Sequence, residues 1–178
     1  VDLSKYEQGI KNLIDTFVNA TDITTVVKPV SIGDEKAMKK LLEHRPSVLQ
    51  TEAHPYSQEK ELKWFLDKEG IIIQAWYPLG HGDKALQQEP LFTELAGKYG
   101  KSSAQIILRW HIQSGNIVIP GSKNPAHIKD NFDLFDFSLT DEEMKKISSL
   151  DQKKRYYKSG EHLLRSYVKM VPDVDGQK

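Results

Sequence analysis

Gly70-Ile71-Ile72-Ile73-Gln74-Ala75-Trp76-Tyr77-Pro78-Leu79-Gly80 is the stretch on which the fold turns. Its first half is a near-continuous apolar run set between glycine and proline, the pattern of a strand covered on both faces in a parallel sheet. Parallel neighbours need helical crossovers, so helices belong on either side. Upstream, residues 57–69 read as a helix capped by Ser57, with Leu62, Phe65 and Leu66 inward and Gly70 closing it. Before that helix, Ser47-Val48-Leu49-Gln50-Thr51 makes a short strand. Downstream come a flexible glycine loop, helices at 90–99 and 102–113 separated by Gly100, a short apolar strand at 116–119, and a helix at 125–132. The last periodic segment is a helix at 140–150, with an N-cap and acids in its first turn from Ser138-Leu139-Thr140-Asp141-Glu142-Glu143.

The outer segments extend the pattern. Residues 3–18 place Leu3, Tyr6, Ile10, Leu13, Ile14 and Phe17 on one helical face. The β-branched segment 23–31 reads as a strand that Pro29 demotes to an edge or to irregular structure, and Asp34 caps a helix over 35–44. The polar tail after Asp151 holds at most one short helix. Short apolar strands alternating with helices make about four β/α units.

Composition narrows the classes. The 178 residues fall below the ~200 to 400 of a complete (β/α)8 barrel. Lys and Arg (25) balance Asp and Glu (25), so no global field draws the chain to nucleic acid or anionic lipid, and neither is expected as a partner. The absence of cysteine rules out a disulfide frame, a zinc ribbon and a thiolate nucleophile, and suits a reducing compartment. Runs such as Ile71-Ile72-Ile73 are far too short to span a bilayer, and the first residues do not read as a secretory signal. A cytoplasmic protein is the expectation.

Several motifs bear on chemistry. Gly80-His81-Gly82-Asp83-Lys84-Ala85 fits the dinucleotide fingerprint G-x-G-x-x-A, but the helical pattern begins only near Pro90, which disfavours a Rossmann turn. A glycine loop at the C-terminal end of a barrel strand accounts for it better. The six histidines show no metal-ligand spacing, and no G-x-S-x-G is present. His54-Pro55-Tyr56 reads as a structural turn. In Ile119-Pro120-Gly121-Ser122-Lys123-Asn124-Pro125, a hydroxyl, an ammonium and helix N-terminal amides converge after a strand. That fits either a phosphate site or an ordinary capped turn.

Taken together, four stretches resemble the aldo-keto reductase family. They are Pro46 through Tyr56, with Val48-Leu49-Gln50-Thr51-Glu52-Ala53-His54-Pro55 at its heart; Gly70 through Gly80; Ala104-Gln105-Ile106-Ile107-Leu108-Arg109-Trp110; and Ile119-Pro120-Gly121-Ser122 on to Asn131-Phe132. They follow the family's order and spacing over residues 30–151, about two thirds of the chain. The resemblance implies the C-terminal half of a TIM barrel in that span, with 1–29 an N-terminal helix and unassigned segment, and 152–178 a tail. It implies that Ser31 and Gln50 bond the nicotinamide carboxamide and that Trp76 stacks under the ring. Tyr77, Pro78 and Leu79 then begin the loop beside the pyrophosphate. Ser122, Lys123 and Asn124 lie near the adenosine phosphate, with His127 and Asn131 toward the adenine. The physical roles suit these side chains, since an aromatic face orients a flat ring and a donor-rich turn suits phosphate.

The sequence also departs from the family. Ile32 stands where Asn is usual, Gly121 where Lys is frequent, and His127 where Arg is frequent at the 2′-phosphate site; Lys123 offers compensation, so NADPH is expected over NADH. The family's catalytic Asp, Tyr, Lys and His come from its first half, and nothing in residues 1–29 resembles their motifs, so no catalytic residue is assigned. The resemblance thus implies an NADP-linked oxidoreductase acting on a small-molecule aldehyde or ketone, here truncated and without its proton-donating set. The alternative is a non-catalytic dinucleotide-binding remnant or interaction module. An open half-barrel exposes sheet edges, which predicts self-association or pairing with a complementing fragment.

Overall fold

Three parallel strands organise residues 45–158, the part of the chain that the computed structural model describes. Strand β1 (Val48–Glu52), helix α1 (Lys60–Lys68) and strand β2 (Ile72–Trp76) form the first β/α/β unit. A 3-10 turn at Gly80–Gly82 leads into α2 (Lys84–Gln87), α3 (Pro90–Tyr99) and α4 (Ser103–Gln113). Strand β3 (Ile117–Val118), α5 (Pro125–Phe132) and α6 (Asp141–Ser148) complete the order. The sheet runs β1-β2-β3, with Gln50 opposite Gln74, Glu52 opposite Trp76, and Gln74 opposite Ile117. Side chains alternate along a strand, so Gln50, Glu52, Gln74 and Trp76 share one face. The segments read as helix at 3–18, strand at 23–31 and helix at 35–44, with the tail beyond 158, lie outside the described residues.

Local chemistry explains most element ends. After α1, the Ile71 N–H reaches the Leu66 carbonyl at 2.9 Å and the Gly70 N–H the Asp67 carbonyl at 3.3 Å. These two bonds make a Schellman ending, which needs the left-handed Gly70 (φ +69). Pro90 opens α3 and Gly100 (φ 64) closes it. Ser102 and Gln105 form a capping box on α4, and Thr140 and Glu143 form another on α6.

Three readings need correction. Ser57 does not cap α1, because its backbone is tied to His54 by two hydrogen bonds of 2.8 and 3.1 Å in a tight turn. Helix α1 therefore starts at Lys60, after a left-handed Glu59. The glycine loop after β2 is not featureless: it is the 3-10 turn followed by α2, whose N-cap Asp83 accepts from the Ala85 N–H at 2.8 Å. Strand β3 is also shorter than the apolar run that announces it.

On the helical side, Leu86, Phe92, Leu95, Ile106, Ile107, Trp110, Leu139 and Ile147 pack with Tyr56 into one core. Burying each large side chain contributes about 1.5–3 kcal/mol. This core packs α3 against α4, and α4 in turn packs against β3.

Candidate functional site

A cleft of about 960 Å³ opens where the strands end. Each wall comes from a different element. Strand β1 contributes Gln50, which is exposed, and β2 contributes Trp76, which is half-buried. Directly after β2, Tyr77, Pro78 and Leu79 continue the wall, with His81 and Gly82 from the 3-10 turn as its rim. Past β3, Ile119, Pro120, Gly121 and Ser122 form the opposite wall, with His127, Asp130 and Asn131 on α5 beyond them.

The β2 end is held by an aromatic series. The Trp76 and Tyr77 rings lie 4.4 Å apart, and Tyr77 stacks on His81 at 4.1 Å and 30°. Tyr77 and His81 both have φ near 54°, a left-handed conformation unusual for side chains of this size. Such strain persists only where the surroundings over-determine it, and it concentrates at functional sites. Pro78 is fixed from behind, because the buried His111 donates through Nε2 to its carbonyl at 3.3 Å. Burial drives the His111 pKa down to about 3, so the ring is neutral at physiological pH.

The α5 wall is built by its cap. The Asn124 side chain accepts from the Ala126 N–H at 3.0 Å, and the Ser122 hydroxyl accepts from the Asn124 N–H at 3.1 Å. This arrangement leaves the Ser122 hydroxyl proton for a ligand. No residue of α5 is buried. His127, Asp130 and Asn131, three and four residues apart, occupy its cleft-facing side.

Of the eleven residues expected to hold a dinucleotide, Gln50, Trp76, Tyr77, Pro78, Leu79, Ser122, His127 and Asn131 line this single cleft. Lys123 and Asn124 sit in the same turn but outside the lining, Asn124 being occupied with its cap. Ser31 lies outside the described residues. The lining also includes His81, Gln87, Gln88, Ser102, Ser103 and Asp130, which the sequence reading did not assign. Helical spacing from His127 would have found Asp130. A four-residue helix such as α2 leaves no periodicity by which to find Gln87.

A nicotinamide dinucleotide fits these residues. The volume lies in the ~300–1,000 Å³ range of small-molecule sites. An aromatic side chain and an exposed carboxamide stand on adjacent strands, and a hydroxyl and an imidazole face them across the cleft.

A family model described as "Aldo/keto reductase family" matches residues 30–152. An aldo-keto reductase of Mycolicibacterium smegmatis is 47% identical over 110 residues, covering 62% of this chain and 39% of that protein. Methylglyoxal reductase DkgA of Escherichia coli is 42% identical over 110 residues, covering 62% of this chain and 40% of its own length. Among solved structures, a mutant of Gox0644 in complex with NADPH superposes with a TM-score of 0.65 at 32% identity, covering 71% of this chain and 47% of that one. The chain therefore spans about two fifths of the length of these curated relatives. Its fold is α/β, a partial (β/α)8 barrel.

Proposed function

The chain belongs to the aldo/keto reductase family, and from that premise we propose that its cleft holds a nicotinamide dinucleotide, NADPH ahead of NADH, for the reduction of an aldehyde or ketone. The observation that carries this reading is the convergence of Gln50, Trp76, Ser122, His127 and Asn131 on one cleft at the strand ends. The NADPH held by a similar structure supports the choice of cofactor.

When bound, the nicotinamide supplies a hydride. The chain's own residues bind and orient it. The Trp76 ring offers a flat face, and the Gln50 amide, donor and acceptor at once, suits a carboxamide. Ser122 donates from its hydroxyl and His127 from its imidazole toward phosphate, while Asp130 and Asn131 present an acceptor and an amide to a base edge. Pro78 and Leu79 keep water from the middle of the cleft.

A second reading is dinucleotide binding without turnover. It rests on the sequence, where nothing in residues 1–29 resembles the motifs that carry the family's catalytic residues. On the first reading the described residues supply the cofactor side of the reaction, and proton transfer falls to groups outside the described cleft.

Fluorescence separates the cases. The tryptophans are Trp64, which is exposed, Trp110, which is buried, and Trp76 in the cleft. NADPH should quench the emission more strongly than NADH, and Trp76→Phe should abolish the effect. Absence of quenching in the parent chain would sink the proposal. NADPH oxidation with methylglyoxal then reads turnover: its occurrence in the chain alone overturns the second reading, and its absence alongside binding supports it.

A further inference from the structure

Helix α4 turns a polar stripe toward the connection between α5 and α6. Gln105, Arg109 and Gln113 recur at four-residue steps, so they share one face. Every nitrogen of the Arg109 guanidinium finds an acceptor: Nε donates to Gln113 Oε1 at 3.1 Å, Nη1 to the Leu134 carbonyl at 3.0 Å, and Nη2 to the Ser138 hydroxyl at 2.6 Å. Gln113 Oε1 also accepts the Leu139 N–H at 2.7 Å, and its amide donates to the Leu139 carbonyl at 2.9 Å. Gln105 donates to the Asp133 carbonyl at 2.9 Å. Arg109 is only 6% exposed, and a cation so far from water is tolerated where its donors are bonded.

The stripe reaches the cleft through α5. No residue of that helix is buried, so it lacks the packed apolar face that usually fixes a surface helix. Its pose depends instead on what ties its ends. At the C-terminal end the Asp133 N–H bonds the Lys129 and Asp130 carbonyls at 3.2 and 3.1 Å, and the Leu134 N–H bonds the Phe132 carbonyl at 3.0 Å. Leu134 is itself buried. Gln105 and Arg109 hold the carbonyls of these same two residues, Asp133 and Leu134. Within the preceding two turns of α5 stand His127, Asp130 and Asn131, which line the cleft.

Resting on the dinucleotide reading, we propose that Arg109 is a positioning residue that sets the pose of α5, and with it the affinity for the adenosine-phosphate half of the dinucleotide. The guanidinium is a planar fork, so bonding Leu134 and Ser138 together fixes the connection in angle as well as in distance. A lysine keeps the charge but offers a single donor point on a flexible stem. Gln50 and Trp76, at the nicotinamide end, stand on β1 and β2 and not on α5. The effect of Arg109 therefore falls on one half of the ligand.

The test compares the two halves of the ligand on the full chain. The adenosine half, offered as 2′,5′-ADP, should bind Arg109→Lys about 3- to 10-fold more weakly than the parent, the scale of one hydrogen bond. Reduced nicotinamide mononucleotide, followed by tryptophan quenching, should keep its parental affinity. Ser138→Ala removes one of the acceptors at an exposed residue, and should weaken 2′,5′-ADP in the same direction by a smaller factor. In the Arg109→Lys background it should add little, because the two side chains act through one bond. Should Arg109→Lys fail to fold, the comparison of the two halves in Ser138→Ala decides. Parental affinity for 2′,5′-ADP in both variants overturns the proposal. Equal loss for both halves, or faster hydrogen exchange in α3 as well, marks general loosening and overturns it too. Should the parent bind neither NADPH nor 2′,5′-ADP, the dinucleotide reading fails, and exchange at the Lys129 to Asp133 amides decides the positioning role. A several-fold rise there in Arg109→Lys, with α3 unchanged, supports that role, and parental rates overturn it.

Discussion

His111 shows how a residue outside the cleft shapes it. The ring is fully buried, donates to the Pro78 carbonyl, and accepts at Nδ1 from the Asn116 amide at 3.3 Å. Burial is the main force lowering its pKa to about 3, with the Pro78 bond acting in the opposite direction. The unfolded chain takes up a proton near pH 6.5 and the folded chain does not. Stability from this group is therefore complete above pH 6.5 and declines as pH falls toward 3. We predict that His111→Gln, which retains a donor for Pro78, flattens the loss of unfolding free energy between pH 6.5 and 4.5 in urea titrations. An unchanged slope would sink this assignment. His54, whose pKa is also lowered by burial, adds to the slope in the same direction. Nothing in the sequence singles His111 out from the other five histidines, since its importance lies in what closes over it. Gln50 and Trp76 were legible because each belongs to a strand whose pattern was already clear, Gln50 in the middle of β1 and Trp76 at the end of β2. Gln87 and Ser102 were not, because the chain reaches their neighbourhood only after folding back.

Among the elements, the helices with strong end signals were the most legible. Pro90 and Gly100 bracket α3, and the Thr140 box starts α6 where the sequence indicates. Ser57 misled because a cap depends on where the backbone turns, and His54 had already taken up that backbone. The α6 box carries a further load. Burial raises the Glu143 pKa, but hydrogen bonds from Lys98 at 2.6 Å, Tyr99 at 2.6 Å and the Thr140 N–H outweigh it and bring the value down to about 2. With its folded pKa depressed, Glu143 stabilises α6 fully above about pH 4.5 and loses that contribution as pH falls through 2. Glu143→Gln should cost on the order of 2 kcal/mol at pH 7, a figure reduced for the half-exposed Lys98. The gap to the parent should close as pH falls from 4.5 toward 2 in a series of urea titrations. A constant gap would show that packing, not charge, explains the cost.

At the scale of the whole molecule, the sheet is what the sequence pattern described best and what it leaves open. In the order β1-β2-β3 the outer edges of β1 and β3 have no strand partner among the described residues, and an uncovered sheet edge is a template for pairing with another chain. Ile128 (43% exposed) and Phe132 (76%) on α5, with Phe135 (63%) just beyond it, add apolar surface on the helix that follows β3. Water does not satisfy such a surface as well as protein does, and a partial barrel gains by pairing its edges. We therefore expect the chain to associate, either with a second copy or with a chain carrying complementary barrel strands. Sedimentation velocity on the 178-residue chain should show species larger than a monomer that grow with concentration. Phe132→Lys, which sets a charge on the most exposed aromatic among the described residues without touching the core, should shift the distribution toward monomer and leave the thermal midpoint nearly unchanged. A chain that sediments as a monomer at every concentration and unfolds cooperatively would mean that these edges are already covered within the chain itself.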